Sequence, residues 1–131
     1  KNEIKFLNYS KFFNNKNTEI IFKKLHTIPW DEIHLLDKNF NFLKINKKIQ
    51  NFNFVTKYDI VYYDAFGSRV QPELWKEEII KPIVKSLNSY GVFVTYSSKG
   101  DLRRTLVNLG MTVEKIDGPI GKREMIRAIK I

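Results

Sequence analysis

A carboxylate placed directly after a buried strand can orient or deprotonate a nucleophile. Its backbone is held rigidly on one side and its oxygens reach solvent on the other. Asp64 stands in that position. The apolar run Ile60-Val61-Tyr62-Tyr63 ends at it, and the polar loop Ala65-Phe66-Gly67-Ser68-Arg69-Val70-Gln71 follows. Read as local structure alone, Asp64 caps that loop. Phe66, inside the loop, is placed to stack on a planar base. Trp75, further on, either stacks as well or joins Ile79 and Ile83 in a helical core stripe.

A second group lies at the end of another apolar run. Val92-Phe93-Val94-Thr95-Tyr96 leads into Ser97-Ser98-Lys99-Gly100. Ligands of open α/β sheets sit beyond the carboxyl ends of strands, and Thr95-Tyr96-Ser97-Ser98 is a second such end beside Asp64-Ala65-Phe66. Lys99, Arg103 and Arg104 crowd one predicted helix start, and Lys122 and Arg123 the final turn. Such a set suits phosphate anchoring, or forms a solvated charged face. His26 and His34 lack metal-ligand spacing, so no metal site is expected.

Positioning these residues requires strands and helices in alternation. Tyr58–Tyr63 reads as a short strand buried on both faces. Pro72 fits the first turn of a helix whose stripe is Trp75, Ile79, Ile83 and Leu87, with Glu73, Glu77 and Glu78 early and Lys81 and Lys85 late. Pro82 should kink it. Gly91 precedes the second strand, Val92–Tyr96. Ser98 or Asp101 caps a helix with face Leu102, Leu106 and Leu109, stopped by Gly110. Met111–Ile116 and Arg123–Ile131 are strands about an Asp117–Gly121 turn.

Upstream, Ile4, Leu7 and Phe13, with Phe6 and Phe12 beside them, predict an amphipathic helix. Asn14-Asn15-Lys16-Asn17 reads as a loop. A second helix begins at an Asn17 or Thr18 cap and runs to about His26, with Pro29 beyond it. Ile33–Leu36 and Phe40–Ile45 are short strands about Asp37-Lys38-Asn39. The later half thus runs strand, helix, strand, helix, strand, strand. This is an α/β pattern with a parallel sheet, right-handed crossovers and a terminal antiparallel hairpin.

Composition bounds the rest. A chain of 131 residues and 15.6 kDa, 43% hydrophobic, has room for one modest core, so a single domain is expected. Residues 1–57 would be a helical and short-strand lead-in, and 58–131 the strand-helix-strand-helix-hairpin. Ten Phe, six Tyr and two Trp are too many for a disordered tail. No apolar run approaches the roughly 20 residues of a spanning helix, so no membrane partner is expected. With no Cys, disulfides, thiolate metal sites and thiol nucleophiles are excluded, and a reducing cytoplasm fits. The net charge of +9 favours RNA or DNA, although its bland reading is a lysine-solvated surface. Only five of the 23 basic residues are Arg, the better phosphate fork.

Three ordered blocks carry a resemblance. Asp64-Ala65-Phe66-Gly67-Ser68-Arg69-Val70-Gln71-Pro72-Glu73-Leu74-Trp75 resembles the D-[AG]-F-x-P-x-x-x-P-E-[LM]-W signature of the MnmC-like tRNA wobble-uridine methyltransferases, with Ser68 in place of the pattern's proline. Val94 to Gly100 with Arg103-Arg104-Thr105-Leu106 resembles that family's T-[YF]-[CST]-A-x-G-x-[VL]-R-R-x-L block. Gly118 to Met125 resembles its G-x-G-x-K-R-E-M block. Phe22 to His26 and Pro29-Trp30 align more loosely.

The resemblance implies a class I, Rossmann-like sheet and a methyl transfer from S-adenosylmethionine to an exocyclic amine of a modified tRNA wobble uridine. It implies Asp64 as the catalytic group. Phe66, Tyr96, Lys99, Arg103, Arg104, Lys122 and Arg123 are implied toward substrate, and Asp64, Ala65 and Phe66 toward the cofactor. The family's first two strands, with their Gly-rich turn and ribose-binding acid, have no counterpart in the sequence. The chain, which opens at Lys1, is therefore expected to be the C-terminal part of such a domain. It should have an incomplete cofactor site and an exposed apolar sheet edge that favours a homo-oligomer. Two other classes stay open: a basic tRNA-binding module without chemistry, and a different Rossmann-like enzyme such as an oxidoreductase.

Overall fold

A computed structural model describes residues 3–12 and 16–131. Its contacts divide the chain into two units, Lys1–Lys48 and Ile49–Ile131.

In the first unit, the predicted opening helix is instead two 3-10 turns, Glu3–Phe6 and Tyr9–Phe12. Phe6, Leu7 and Phe12 are exposed; Phe13 and the Ile4 side chain lie outside what is described. Helix α1 is Lys16–Thr27 and takes in Lys16 and Asn17 of the predicted loop; Asn14 and Asn15 are not described. Glu19 and Lys23 pair at 2.8 Å one turn apart, a surface contact worth a few tenths of a kcal/mol. Strands β1 (Ile33–Asp37) and β2 (Phe40–Leu43) form the expected antiparallel hairpin. Lys24 Nζ donates to the Leu35 carbonyl at 3.2 Å and ties α1 to it.

The second unit holds a four-stranded sheet. Its strands are β3 (Tyr58–Tyr62), β4 (Leu87–Thr95), β5 (Met111–Asp117) and β6 (Glu124–Lys130), in the spatial order β3-β4-β6-β5. β3 and β4 are parallel, joined through helix α2 (Glu77–Ser86). β6 runs antiparallel between β4 and β5, so the terminal hairpin folds back into the sheet rather than extending it. Helix α3 (Gly100–Asn108) links β4 to β5.

The core follows from strand alternation meeting two helix stripes. Phe93, Ile126 and Ala128 point to one face of the sheet and are fully buried. Ile80, Ile83 and Val84 of α2 and Leu102 and Leu106 of α3 belong to the same core. Each of these side chains larger than alanine, moved from water to this core, contributes about 1.5–3 kcal/mol.

Four expectations are corrected here. β3 is not buried on both faces: it is an edge strand with Ile60 and Tyr62 exposed. Ile60 and Tyr62, two residues apart, share one face of the strand, and among the described residues nothing buries that face, whereas Val61 on the other face is half-buried. The helix from Pro72 is two pieces, a 3-10 turn Pro72–Trp75 and then α2, because Lys76 between them is extended at φ −73° and ψ 151°. Leu87, expected on that helix, begins β4. Neither Ser98 nor Asp101 caps α3. Lys99 occupies the cap without a side-chain bond, and Asp101 instead pairs with Arg104. Gly110, at φ +83°, follows α3 in the left-handed conformation that closes a helix. Among the described residues, no helix is long and apolar enough to cross a membrane.

Candidate active site

Because β3 and β4 are parallel, their carboxyl ends open on the same side, and a cavity of about 550 Å³ lies there. That volume falls in the range of small-molecule sites. Its first wall is the end of β3. The Tyr63 amide donates to the Val94 carbonyl at 2.8 Å, so the ladder fixes the backbone up to the residue before Asp64. Asp64 is exposed and Ala65 half-buried, and both line the cavity.

The turn that follows the loop is tied back at two points, once to the strand end before Asp64 and once to the loop itself. The Tyr63 hydroxyl donates to the Leu74 carbonyl at 2.6 Å, and Trp75 Nε1 donates to the Phe66 carbonyl at 2.8 Å. Tyr63 and Trp75 meet edge to face with centroids 5.2 Å apart, and Tyr63 also lies 5.5 Å from Phe93 in the core. Burial pushes the Tyr63 phenol up to about 12. Within the loop, Gly67 accepts bonds from the amides of Val70 and Gln71 at 2.8 and 3.1 Å. The Pro72–Trp75 turn therefore braces the loop that presents Asp64.

The second wall is the end of β4. Thr95 is buried, and its hydroxyl accepts from the Ser97 amide at 3.2 Å; Ser97 Oγ accepts from the Lys99 amide at 3.4 Å. This pair of short side-chain turns carries Tyr96, Ser98 and Lys99 around the cavity. Lys122 comes from the β5–β6 turn and lies over the Tyr96 ring, 5.8 Å from its centroid. That turn is tight: a Cβ on Gly118 would collide with the Lys122 carbonyl.

Of the residues picked out by sequence, Asp64, Ala65, Tyr96, Lys99 and Lys122 line this one cavity. Phe66, Arg103, Arg104 and Arg123 do not. Phe66 is 72% exposed on the loop, and only its carbonyl is engaged. Arg103 and Arg123 are exposed, and Arg104 is held by Asp101. Trp75 is half-buried against Tyr63, which fits a bracing role rather than stacking on a ligand. Sequence reading missed Tyr63 as the brace. Its signal was present as a tyrosine at the strand end, whose hydroxyl needs a partner once buried.

Comparison with known proteins decides the family. Residues 10–131 match the model of the S-adenosyl-L-methionine-dependent methyltransferase family. The chain belongs to this family. It is 30% identical over 105 residues to the tRNA 5-methylaminomethyl-2-thiouridine biosynthesis bifunctional protein MnmC of Hydrogenovibrio crunogenus, covering 77% of this chain and 15% of that protein. The protein of the same name from Campylobacter hominis is 38% identical over 72 residues, 55% of this chain and 11% of the relative. Among solved structures, MNMC2 from Aquifex aeolicus superposes with a TM-score of 0.68 at 26% identity, covering 88% of this chain and 38% of that one. The mixed sheet is thus a methyltransferase sheet, as the motif blocks implied. The chain spans a small part of its curated relatives.

The methyl donor of this methyltransferase family is a cation, and the crevice fits part of it. Asp64 is the one carboxylate among the lining residues, and the exposed Tyr96 ring supplies aromatic surface. The lining contains no second acid for ribose hydroxyls and only one glycine, Gly67.

Proposed function

We propose that this chain is the acceptor-positioning part of an enzyme that methylates an exocyclic amine of a modified tRNA wobble uridine. One observation carries the reading: in a methyltransferase-family sheet, Asp64, Tyr96, Lys99 and Lys122 converge on one crevice at the carboxyl ends of parallel strands. The relatives' names point to the same base. A product carrying a methylaminomethyl group corresponds to one transferred methyl and an aminomethyl acceptor.

S-adenosylmethionine, when bound, supplies an electrophilic methyl on sulfonium sulfur. The acceptor amine starts as an ammonium at neutral pH. The Asp64 carboxylate, open to solvent, takes that proton and passes it to water, then holds the neutral amine by a hydrogen bond so that its lone pair is aligned for the in-line approach. In this reading Ala65, in the crevice lining, contacts the donor, and Phe66, exposed on the loop outside that lining, is the ring that closes over donor and uracil. Lys99 and Lys122 neutralise backbone phosphate at the crevice mouth, with Arg103, Arg104 and Arg123 as outer contacts.

The same reading includes an association of two copies through the β3 edge and a cytoplasmic setting, which the absence of cysteine fits. The test is methyl transfer by the full-length protein. Labelled S-adenosylmethionine is supplied with tRNA bearing an aminomethyl wobble uridine, and with the same tRNA lacking that modification. Label in the first alone supports the reading; label in neither contradicts it.

A further inference from the structure

Beside the crevice lies a second cavity of about 270 Å³ whose polar lining is Ser68, Lys76, Lys99 and Asp101. The two cavities share Ser68, Trp75 and Lys99, so they are continuous along one wall. Ser68 Oγ is removed from solvent and has no hydrogen-bond partner among the described residues. A serine hydroxyl always has a proton to donate, and burying it without an acceptor is unfavourable. The one acid here, Asp101, is engaged by Arg104. Lys76 and Lys99 therefore set the sign of the space. A hydroxyl without an acceptor, in a cavity lined by two lysines, is complementary to an oxyanion.

We propose that this cavity is a phosphate subsite for the acceptor RNA, in which Lys76, Lys99 and the Ser68 hydroxyl hold a phosphodiester next to the nucleotide whose base enters the crevice. The proposal rests on the tRNA reading above and adds Lys76 and Ser68, to which that reading gave no role. A nucleotide presents its base and its phosphate on opposite sides of a ribose, as two adjoining cavities require. The extended Lys76 backbone now has a use: the break between the Pro72–Trp75 turn and α2 is where this lysine meets the cavity.

The experiment is a salt titration of RNA binding by the 131-residue chain, with a synthetic anticodon stem-loop as probe and fluorescence anisotropy as readout. Lys76→Gln should weaken binding about 5-fold and lower the slope of log affinity against log salt by about 0.7–0.9, the share of one phosphate contact. Ser68→Ala should weaken binding about 3-fold at every salt concentration with the slope unchanged, since it removes a neutral hydrogen bond. Lys81→Gln, on the exposed side of α2, serves as the control and should leave the slope intact. Equal losses for Lys81→Gln and Lys76→Gln would mean diffuse attraction and overturn the subsite. So would unchanged binding by both Lys76→Gln and Ser68→Ala. Failure of the unsubstituted chain to bind the stem-loop at low salt would overturn the tRNA reading together with the subsite.

Discussion

The Tyr63 hydroxyl donates to the Leu74 carbonyl at 2.6 Å, joining residues eleven positions apart and closing the segment that carries Asp64 and its loop. Tyr63 is rooted in the core against Phe93, so the bond links the sheet to the turn that braces the crevice. Replacing Tyr63 by Phe keeps the ring and deletes the donor. The expected loss is about 1–2 kcal/mol of unfolding free energy, from the bond and from the carbonyl left without its donor. Thermal and urea unfolding check it, and a loss under a few tenths would show that the bond carries no stability.

Because burial raises the Tyr63 phenol from its ordinary 10.0 to about 12, the folded state favours the protonated ring. The contribution is fully present below pH 10. It is lost as pH rises from 10 through about 12, since the unfolded chain gives up the proton first. Lys130, held below its ordinary value by burial and by the charge of Lys57, acts in the opposite sense at high pH. Comparison with Tyr63→Phe separates the two. The variant should lose less stability than the unsubstituted chain between pH 10 and 12, measured by urea unfolding at fixed pH.

Much of the site was legible because its residues follow apolar runs. Asp64 and Tyr96 close two such runs, and two parallel strands joined through a helix put both ends on one side of the sheet. What stayed hidden depends on dihedral angles and on neighbours. Trp75, Ile79, Ile83 and Leu87 keep a four-residue spacing through an extended Lys76 and across the start of β4, so periodicity alone could not reveal either break. Arg103 and Arg104 are close to Lys99 in sequence, yet they follow it on α3 and neither lines the crevice. Lys122 does reach it, because the Gly118 turn brings β6 back between β4 and β5.

The β3 edge should act as an association surface. Ile60 and Tyr62 are 46% and 75% exposed on a strand with no partner on its outer side among the described residues. Light scattering at rising concentration should show a dimer, and Ile60→Lys should shift it toward monomer without loss of helix or sheet signal in circular dichroism. A monomer at millimolar concentration would refute this.

Cofactor binding by the 131-residue chain alone should be weak, since its crevice offers one acid and one glycine to the donor. Calorimetric titration with S-adenosylmethionine should give a Kd no tighter than about 1 mM, near −4 kcal/mol. A micromolar value would mean that this wall is sufficient by itself.

The central claim is that Asp64 handles the proton of the acceptor amine, and single-turnover methyl transfer by the full-length protein measures it most directly. Asp64→Ala should slow the chemical step about 100-fold or more, the usual scale for a positioned proton acceptor, with tRNA affinity changed less than about 3-fold. The deficit should shrink as pH rises and the amine loses its proton unaided. A variant that transfers methyl at the unsubstituted rate at neutral pH would contradict the account.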